Sequence, residues 1–207
     1  MTGRFVIAGT DTGVGKTVFA AALTRAIGAT YWKPVQAGTD EGTDGATVTA
    51  LGVDPARILP EAYVLATPCS PHRAAEIDGV AIDPARLTPP ATEGPLVVEL
   101  AGGLMVPLTR ELPTADLVAR WGLPVILVAR TSLGTINHSL LSIEAMRRRD
   151  IPIHGIAFVG ESVPVSETTI ATMGGVRRLG RLDQLPELTP DALAAAFARG
   201  FDAGDFA

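Results

Sequence analysis

Phe5-Val6-Ile7-Ala8-Gly9-Thr10-Asp11-Thr12-Gly13-Val14-Gly15-Lys16-Thr17 decides the fold. Phe5 to Ala8 is a short, continuous apolar run, as a strand buried on both faces should be. Glycines at 9, 13 and 15 follow at once. They admit left-handed backbone angles, so consecutive N–H groups can turn inward as an anion nest. A helical pattern comes next, with Ala22, Leu23, Ala26 and Ile27 on one stripe. Its N-terminal dipole adds positive charge to the nest.

Asp11, Thr12, Gly13, Val14, Gly15, Lys16 and Thr17 are therefore the expected phosphate cradle. Lys16 neutralises β- and γ-phosphate oxygens, and the Thr17 hydroxyl is placed to ligate Mg²⁺. The strict spacing G-x-x-x-x-G-K-[ST] is not met, because position 10 is Thr10 and Gly9 comes one residue early. The strand-loop-helix setting still argues for a nucleoside triphosphate. A dinucleotide fingerprint fails, since it wants glycine where the chain has Val18.

Outward from this loop, apolar runs alternate with helical patterns. Pro95–Leu100, Pro124–Ala129 and Ile153–Val159 are expected as buried strands, with weaker ones over Thr30–Val35 and Val176–Leu179. Ile136, Leu140 and Ile143 mark a helix beneath a Thr135 cap, with Asn137 and His138 beside it. Thr189 caps a last helix with Pro190 at its first position and Leu193, Phe197 and Phe201 on one face. The rhythm predicts an α/β fold with a P-loop-type parallel sheet and helices on both faces, in a single domain over residues 1–207. The proline-rich stretch Asp83–Pro95 is expected as a crossover loop with at most a short helix.

Composition narrows the function. A net charge of −5 disfavours nucleic acid and anionic membranes as partners. No apolar run approaches the roughly 18 residues of a membrane span, and no basic-then-apolar leader precedes Phe5, so a cytoplasmic protein is expected. The single cysteine, Cys69, excludes a disulfide framework and is expected to pack as a small hydrophobe. His72 is expected as a loop hydrogen bonder and His154 as a sheet-edge residue. Arg147-Arg148-Arg149 reads as the cationic end of a helix.

Only Lys16 and Lys33 are lysines among 17 basic residues, which marks both as sites for a compact ammonium. Lys33 precedes Pro34, which forces it into extended backbone at a strand end. Ligands of parallel sheets bind at the carboxyl ends of strands. Glu99, expected to end the strand Pro95–Glu99, is thus the better metal candidate, Val125–Ala129 ending instead in Arg130. One of Asp40, Glu41 and Asp44 completes the Mg²⁺ shell.

The loop Gly9 to Thr17, Trp32-Lys33-Pro34-Val35-Gln36-Ala37-Gly38, Ser70-Pro71-His72, Glu99 with Ala101-Gly102-Gly103, and Leu133-Gly134-Thr135-Ile136-Asn137-His138-Ser139-Leu140-Leu141 follow one another in the chain. In this order they resemble the dethiobiotin synthetase family. The resemblance implies ATP- and Mg²⁺-dependent carboxylation of 7,8-diaminononanoate with CO₂ and ring closure, through a carbamate and its mixed anhydride with phosphate. It implies Lys16, Lys33 and Thr12 as catalytic, Thr17, Asp44 and Glu99 as metal ligands, and Glu99 and Gly102 with the loop Asp11–Thr17 as nucleotide-binding. It places Lys33, Ala37, Asn137 and Gly134 at the substrate, and implies a homodimer in which Gly134–Leu141 reaches the neighbouring subunit.

Three positions depart from the family pattern. Leu100 replaces a glycine and is expected to be strained if the backbone there has positive φ. Ala37 stands where many members carry serine or threonine, and Val159-Gly160-Glu161 lacks the asparagine that reads adenine, leaving the base open between ATP, GTP and CTP. Two alternatives follow: a nucleotide-binding paralogue without synthetase activity, or a partitioning-type switch ATPase. The latter wants a signature lysine where this chain has Asp11.

Overall fold

The computed structural model describes residues 3–206. In chain order the elements are β1 (Arg4–Gly9), α1 (Lys16–Ala26), β2 (Thr30–Trp32), β3 (Val35–Ala37), α2 (Asp44–Ala50), β4 (Ile58–Leu59), β5 (Tyr63–Leu65) and α3 (Pro71–Asp78). They continue as β6 (Leu96–Gly103), α4 (Thr114–Trp121), β7 (Val125–Arg130), α5 (Thr135–Arg147), β8 (Ile153–Val159), α6 (Pro164–Gly174), β9 (Arg178–Leu182) and α7 (Pro190–Gly200). Seven strands form one parallel sheet in the order β4-β2-β6-β1-β7-β8-β9. This is the α/β class that the rhythm predicts.

Successive side chains of a strand point to opposite faces, and β1 divides accordingly. Phe5 and Ile7 enter a core with Phe19, Leu23, Tyr31, Val97 and Phe197, under α1 and α7. Val6 and Ala8 enter the opposite core with Leu100, Val118, Leu127, Ile143 and Ile170, under α4, α5 and α6. Covered on both sides, the central strands have no polar face to alternate with.

The strand expected over Thr30–Val35 is two strands in two sheets. Pro34 has no N–H to give a ladder, and the chain leaves the main sheet at Trp32. It resumes at Val35 as β3, which pairs with β5 in a separate two-stranded sheet. The Pro34 carbonyl still accepts from Ala62 and Tyr63 N–H at 3.0 and 3.1 Å. The strand expected over Val176–Leu179 starts two residues later and runs on to Leu182. Glu99 does not end its strand: β6 continues to Gly103, and its register against β1 slips between Ile7↔Glu99 and Gly9↔Gly103.

Local corrections have local causes. In α1, Ala22 and Leu23 of the expected stripe are buried together with Phe19 and Ala20, while Ala26 is exposed. Thr135 is the first residue of α5, not its cap; Gly134 caps it, and the Thr135 hydroxyl donates to the Arg130 carbonyl at 2.5 Å. His72 lies on α3 and bonds the Ser70 hydroxyl at 3.1 Å. His154 lies on β8 between β7 and β9, so it is not at a sheet edge. Thr189 does cap α7, accepting from Ala192 N–H at 3.2 Å. Asp83–Pro95 holds one 3₁₀ turn, Pro84–Arg86.

Candidate active site

The loop between β1 and α1 is shaped by close approach. Lys16 is buried and folds back over β1, its Nζ donating to the Asp11 carbonyl at 3.1 Å. A Cβ at Gly9 would stand 2.9 Å from Lys16 Cδ and Nζ and 2.8 Å from the Asp11 oxygen, so only glycine fits there. Gly15 caps α1 with φ +94, and no side chain caps the first-turn N–H groups. Those orphan donors and the helix dipole are left for an anion.

At the foot of the loop three oxygens converge. Thr17 Oγ1 lies 3.1 Å from Asp44 Oδ1 and 2.8 Å from Glu99 Oε1. A hydroxyl has one proton to give, so it satisfies only one carboxylate at a time. This set of hard oxygens, two of them anionic, is the donor chemistry that suits Mg²⁺. Lys33 Nζ meets both carboxylates, bonding Asp44 Oδ2 and lying 3.2 Å from Glu99 Oε1. The Tyr31 hydroxyl donates to Glu99 Oε2 at 2.9 Å.

Burial acts differently on the two lysines. It pushes the Lys16 ammonium below its ordinary pKa, with Glu99 opposing and Lys33 adding to the effect. It pushes down on Lys33 too, but Glu99 and Asp44 together outweigh it and leave that pKa raised. Burial, reinforced by Glu99, holds the Tyr31 phenol far above its usual value. Tyr31 therefore stays protonated as a donor.

A cavity of about 800 Å³ opens above this cluster. Thr12, Gly13, Lys16, Thr17, Lys33, Ala37, Asp44, Glu99 and Gly102 all line it, as do the exposed Asp40 and Glu41. Asn137 and Gly134 lie elsewhere, exposed at the start of α5. Asp11 flanks the cavity; its Oδ1 accepts from Thr12 N–H at 2.8 Å, and Arg130 approaches its other oxygen at 3.7 Å. Val14 is buried in the core and Gly15 lies under Val159.

Several expectations change here. Cys69 is not packed as a hydrophobe: it is exposed and lines the cavity rim. Leu100 is not strained, since Asp150 alone among described non-glycine residues has positive φ; it is a core residue of β6, 2% exposed. Two residues escaped sequence reasoning. Gln36 is buried and clamps the loop, its Oε1 accepting from Asp44 N–H at 3.0 Å and its amide donating to Gly38 O at 2.8 Å. Tyr31 gave no signal beyond an apolar, strand-like neighbourhood. A second opening of about 590 Å³, beyond β8 and β9, is lined by Glu161, Ser162, Arg181, Asp183 and Gln184.

The sequence profile of the family described as an AAA domain matches residues 3–192. An ATP-dependent dethiobiotin synthetase of Agrobacterium fabrum is 61% identical over 100% of this chain and 98% of its own. Synthetases of the same name from Rhodopseudomonas palustris (strain BisA53) and Novosphingobium aromaticivorans are 63% and 62% identical over 100% and 98% of this chain, and 97% and 98% of theirs. Among solved structures, a ParA family ATPase from Chlorobium tepidum superposes with TM-score 0.55 at 12% identity, covering 98% of this chain and 92% of that one. The MinD cell division protein of Aquifex aeolicus gives 0.54 at 14%, covering 93% and 86%. These last two are likenesses of fold alone. The curated relatives match end to end, and the chain belongs to the ATP-dependent dethiobiotin synthetase family.

Proposed function

We propose that this protein closes 7,8-diaminononanoate with CO₂ to dethiobiotin at the expense of ATP, a carbon–nitrogen bond-forming cyclo-ligation of biotin biosynthesis. One observation carries the reading: two buried ammonium groups, Lys16 and Lys33, share a cavity with the oxygen cluster of Thr17, Asp44 and Glu99. End-to-end identity with synthetases of that name supports it.

In this reading CO₂ and one substrate amine give a carbamate and a proton. A carbamate oxygen takes the γ-phosphoryl group and ADP leaves. The second amine then attacks the carbonyl carbon, phosphate leaves, and the urea ring closes. Negative charge is concentrated on phosphate and carbamate oxygens, so fixed cations aimed there stabilise the transition states. Lys16, held across Gly9, serves the phosphates together with the N–H groups of Asp11 to Thr17. Lys33, whose ammonium lies against Asp44 and Glu99 in the cavity, serves the carbamate and the transferring phosphoryl group.

Thr12, at the cavity mouth beside Gly102, flanks the carbamate, and Ala37 lines the substrate side. Thr17, Asp44 and Glu99 would hold Mg²⁺, which when bound neutralises phosphate charge. The protein acts in this reading as a cytoplasmic single domain and pairs as a homodimer. Gly134 and Asn137 then face the neighbouring subunit's substrate, consistent with the exposure of Leu133 (101%) and Leu141 (57%) beside them.

Two variants test the roles. Lys16→Ala is expected to abolish nucleotide binding, whereas Lys33→Ala keeps it and loses product. Full synthesis by Lys33→Ala would refute the site assignment. Light scattering of the wild type tests the dimer.

A further inference from the structure

Tyr31 reaches the site from the core, not from the cavity. Its ring is 1% exposed, in the apolar layer with Ile7, Phe19 and Val97. In the sheet Tyr31 pairs with Val97 of β6, and Glu99 is two residues further along that strand, on the same face. The phenol thus reaches diagonally to the carboxylate, as long side chains do across neighbouring strands. Glu99 is fully buried and its two oxygens have separate partners. Tyr31 holds Oε2 at 2.9 Å, while Oε1 faces Thr17 at 2.8 Å and Lys33 at 3.2 Å.

We propose that Tyr31 is a positioning residue that fixes the Glu99 carboxylate with Oε1 turned to the cation site, and so sets the affinity for a divalent metal. The proposal rests on the reading of Thr17, Asp44 and Glu99 as metal ligands. A hydrogen bond to a buried carboxylate is charge-assisted and directional. Without it, Oε2 has no partner and the carboxylate turns to share both oxygens with Lys33 and Thr17. Groups that orient a metal ligand in this way are typically worth 10–100-fold in metal affinity.

Tyr31→Phe removes the hydroxyl and leaves the ring. Mn²⁺, followed by electron paramagnetic resonance with a non-hydrolysable ATP analogue present, is expected to bind about tenfold more weakly to this variant. Affinity for the analogue in EDTA is expected to be unchanged. On a Glu99→Gln background the same substitution is expected to move Mn²⁺ affinity by about twofold at most, because the phenol acts through that carboxylate. Unchanged Mn²⁺ affinity, an equal loss on both backgrounds, or an equal loss of metal-free analogue binding would each overturn the proposal.

A second measurement leaves the side chain in place, in case Tyr31→Phe does not fold. Protein labelled with 3-fluorotyrosine carries two ¹⁹F signals, from Tyr31 and Tyr63. With the analogue bound, Mg²⁺ is expected to shift the Tyr31 signal, assigned by its survival in Tyr63→Phe. A Tyr31 signal that does not move as metal binds overturns the proposal. Both readouts use metal and nucleotide alone. A wild type that made no dethiobiotin would therefore refute the reaction proposed above and leave the Tyr31 result standing.

Discussion

Lys16 lies across Gly9, so closely that a methyl group at position 9 would stand 2.9 Å from both Cδ and Nζ of the lysine. The glycine that comes one residue too early for the strict phosphate-loop spacing is therefore the floor on which the lysine rests. Gly9→Ala must lift that side chain, and the Asp11 carbonyl at 2.8 Å blocks a simple adjustment of the backbone. A misplacement of about 1 Å can cost roughly 10²-fold in rate. We expect kcat/KM for ATP to fall by that order in Gly9→Ala and the thermal midpoint to fall with it, because the Asp11 backbone oxygen must give way to the methyl group. Steady-state kinetics beside a melting curve checks both.

Lys33 bridges two carboxylates, one of them fully buried. Removing one partner of a buried ion pair leaves an uncompensated charge, at about 3–5 kcal/mol. Lys33→Met is expected to lose stability of that order in metal-free urea unfolding. Mg²⁺ is expected to stabilise Lys33→Met more than the wild type, because it neutralises the same two carboxylates. Equal stability of the two proteins without metal would contradict the bridge.

Leu100 bears on whether this chain is an intact synthetase. It packs in the core beneath α4 and α5, 2% exposed. Truncating a buried leucine to alanine costs about 2–5 kcal/mol. Leu100→Ala is expected to unfold at correspondingly lower urea, with its folded fraction still making product. Leu100→Gly is expected to lose a further 0.5–1 kcal/mol or so, through backbone entropy. A gain in stability or rate on introducing glycine would mark Leu100 as a defect.

The strands were legible where both faces are buried, because the apolar run is then continuous: β1, β7 and β8 stand where Phe5–Ala8, Pro124–Ala129 and Ile153–Val159 place them, and β6 starts with Pro95–Leu100 but runs on through Ala101-Gly102-Gly103, where the apolar run has ended. The small sheet of β3 and β5 was not legible. Its strands are three residues long and carry no period, and Pro34 breaks the run without saying where the chain goes. At the site, the phosphate loop announces itself by its glycines between strand and helix, and Lys33 and Glu99 by charge beside apolar runs; Asp44 was one of three acids in a polar loop until the family resemblance chose it. Tyr31 and Gln36 do not. A tyrosine in a strand looks like core until the register puts its hydroxyl beside a carboxylate two residues along the neighbouring strand. Cys69 misled because a cysteine near prolines has no period to say which way it faces.

His154 supplies a pH dependence remote from the cavity. It packs 4.7 Å from the Phe5 ring and donates from Nε2 to the Asp205 carbonyl at 2.8 Å. Burial holds its folded pKa below the ordinary 6.5, only partly opposed by that hydrogen bond. As pH falls through 6.5, the unfolded chain takes up a proton that the folded one refuses, so stability is lost on acidification. Urea midpoints between pH 7.5 and 5.5 are expected to fall less in His154→Gln than in the wild type. Equal slopes would remove His154 from the account.

Ring closure itself can be weighed directly. Purified protein, 7,8-diaminononanoate, bicarbonate, Mg²⁺ and ATP are incubated, and the products are weighed by mass spectrometry while phosphate is counted, with GTP and CTP in parallel. The expected product is heavier than the diamine by one carbonyl less two hydrogens, with one phosphate released per ring closed. Nucleotide binding without that product, under any of the three triphosphates, would contradict the proposed reaction.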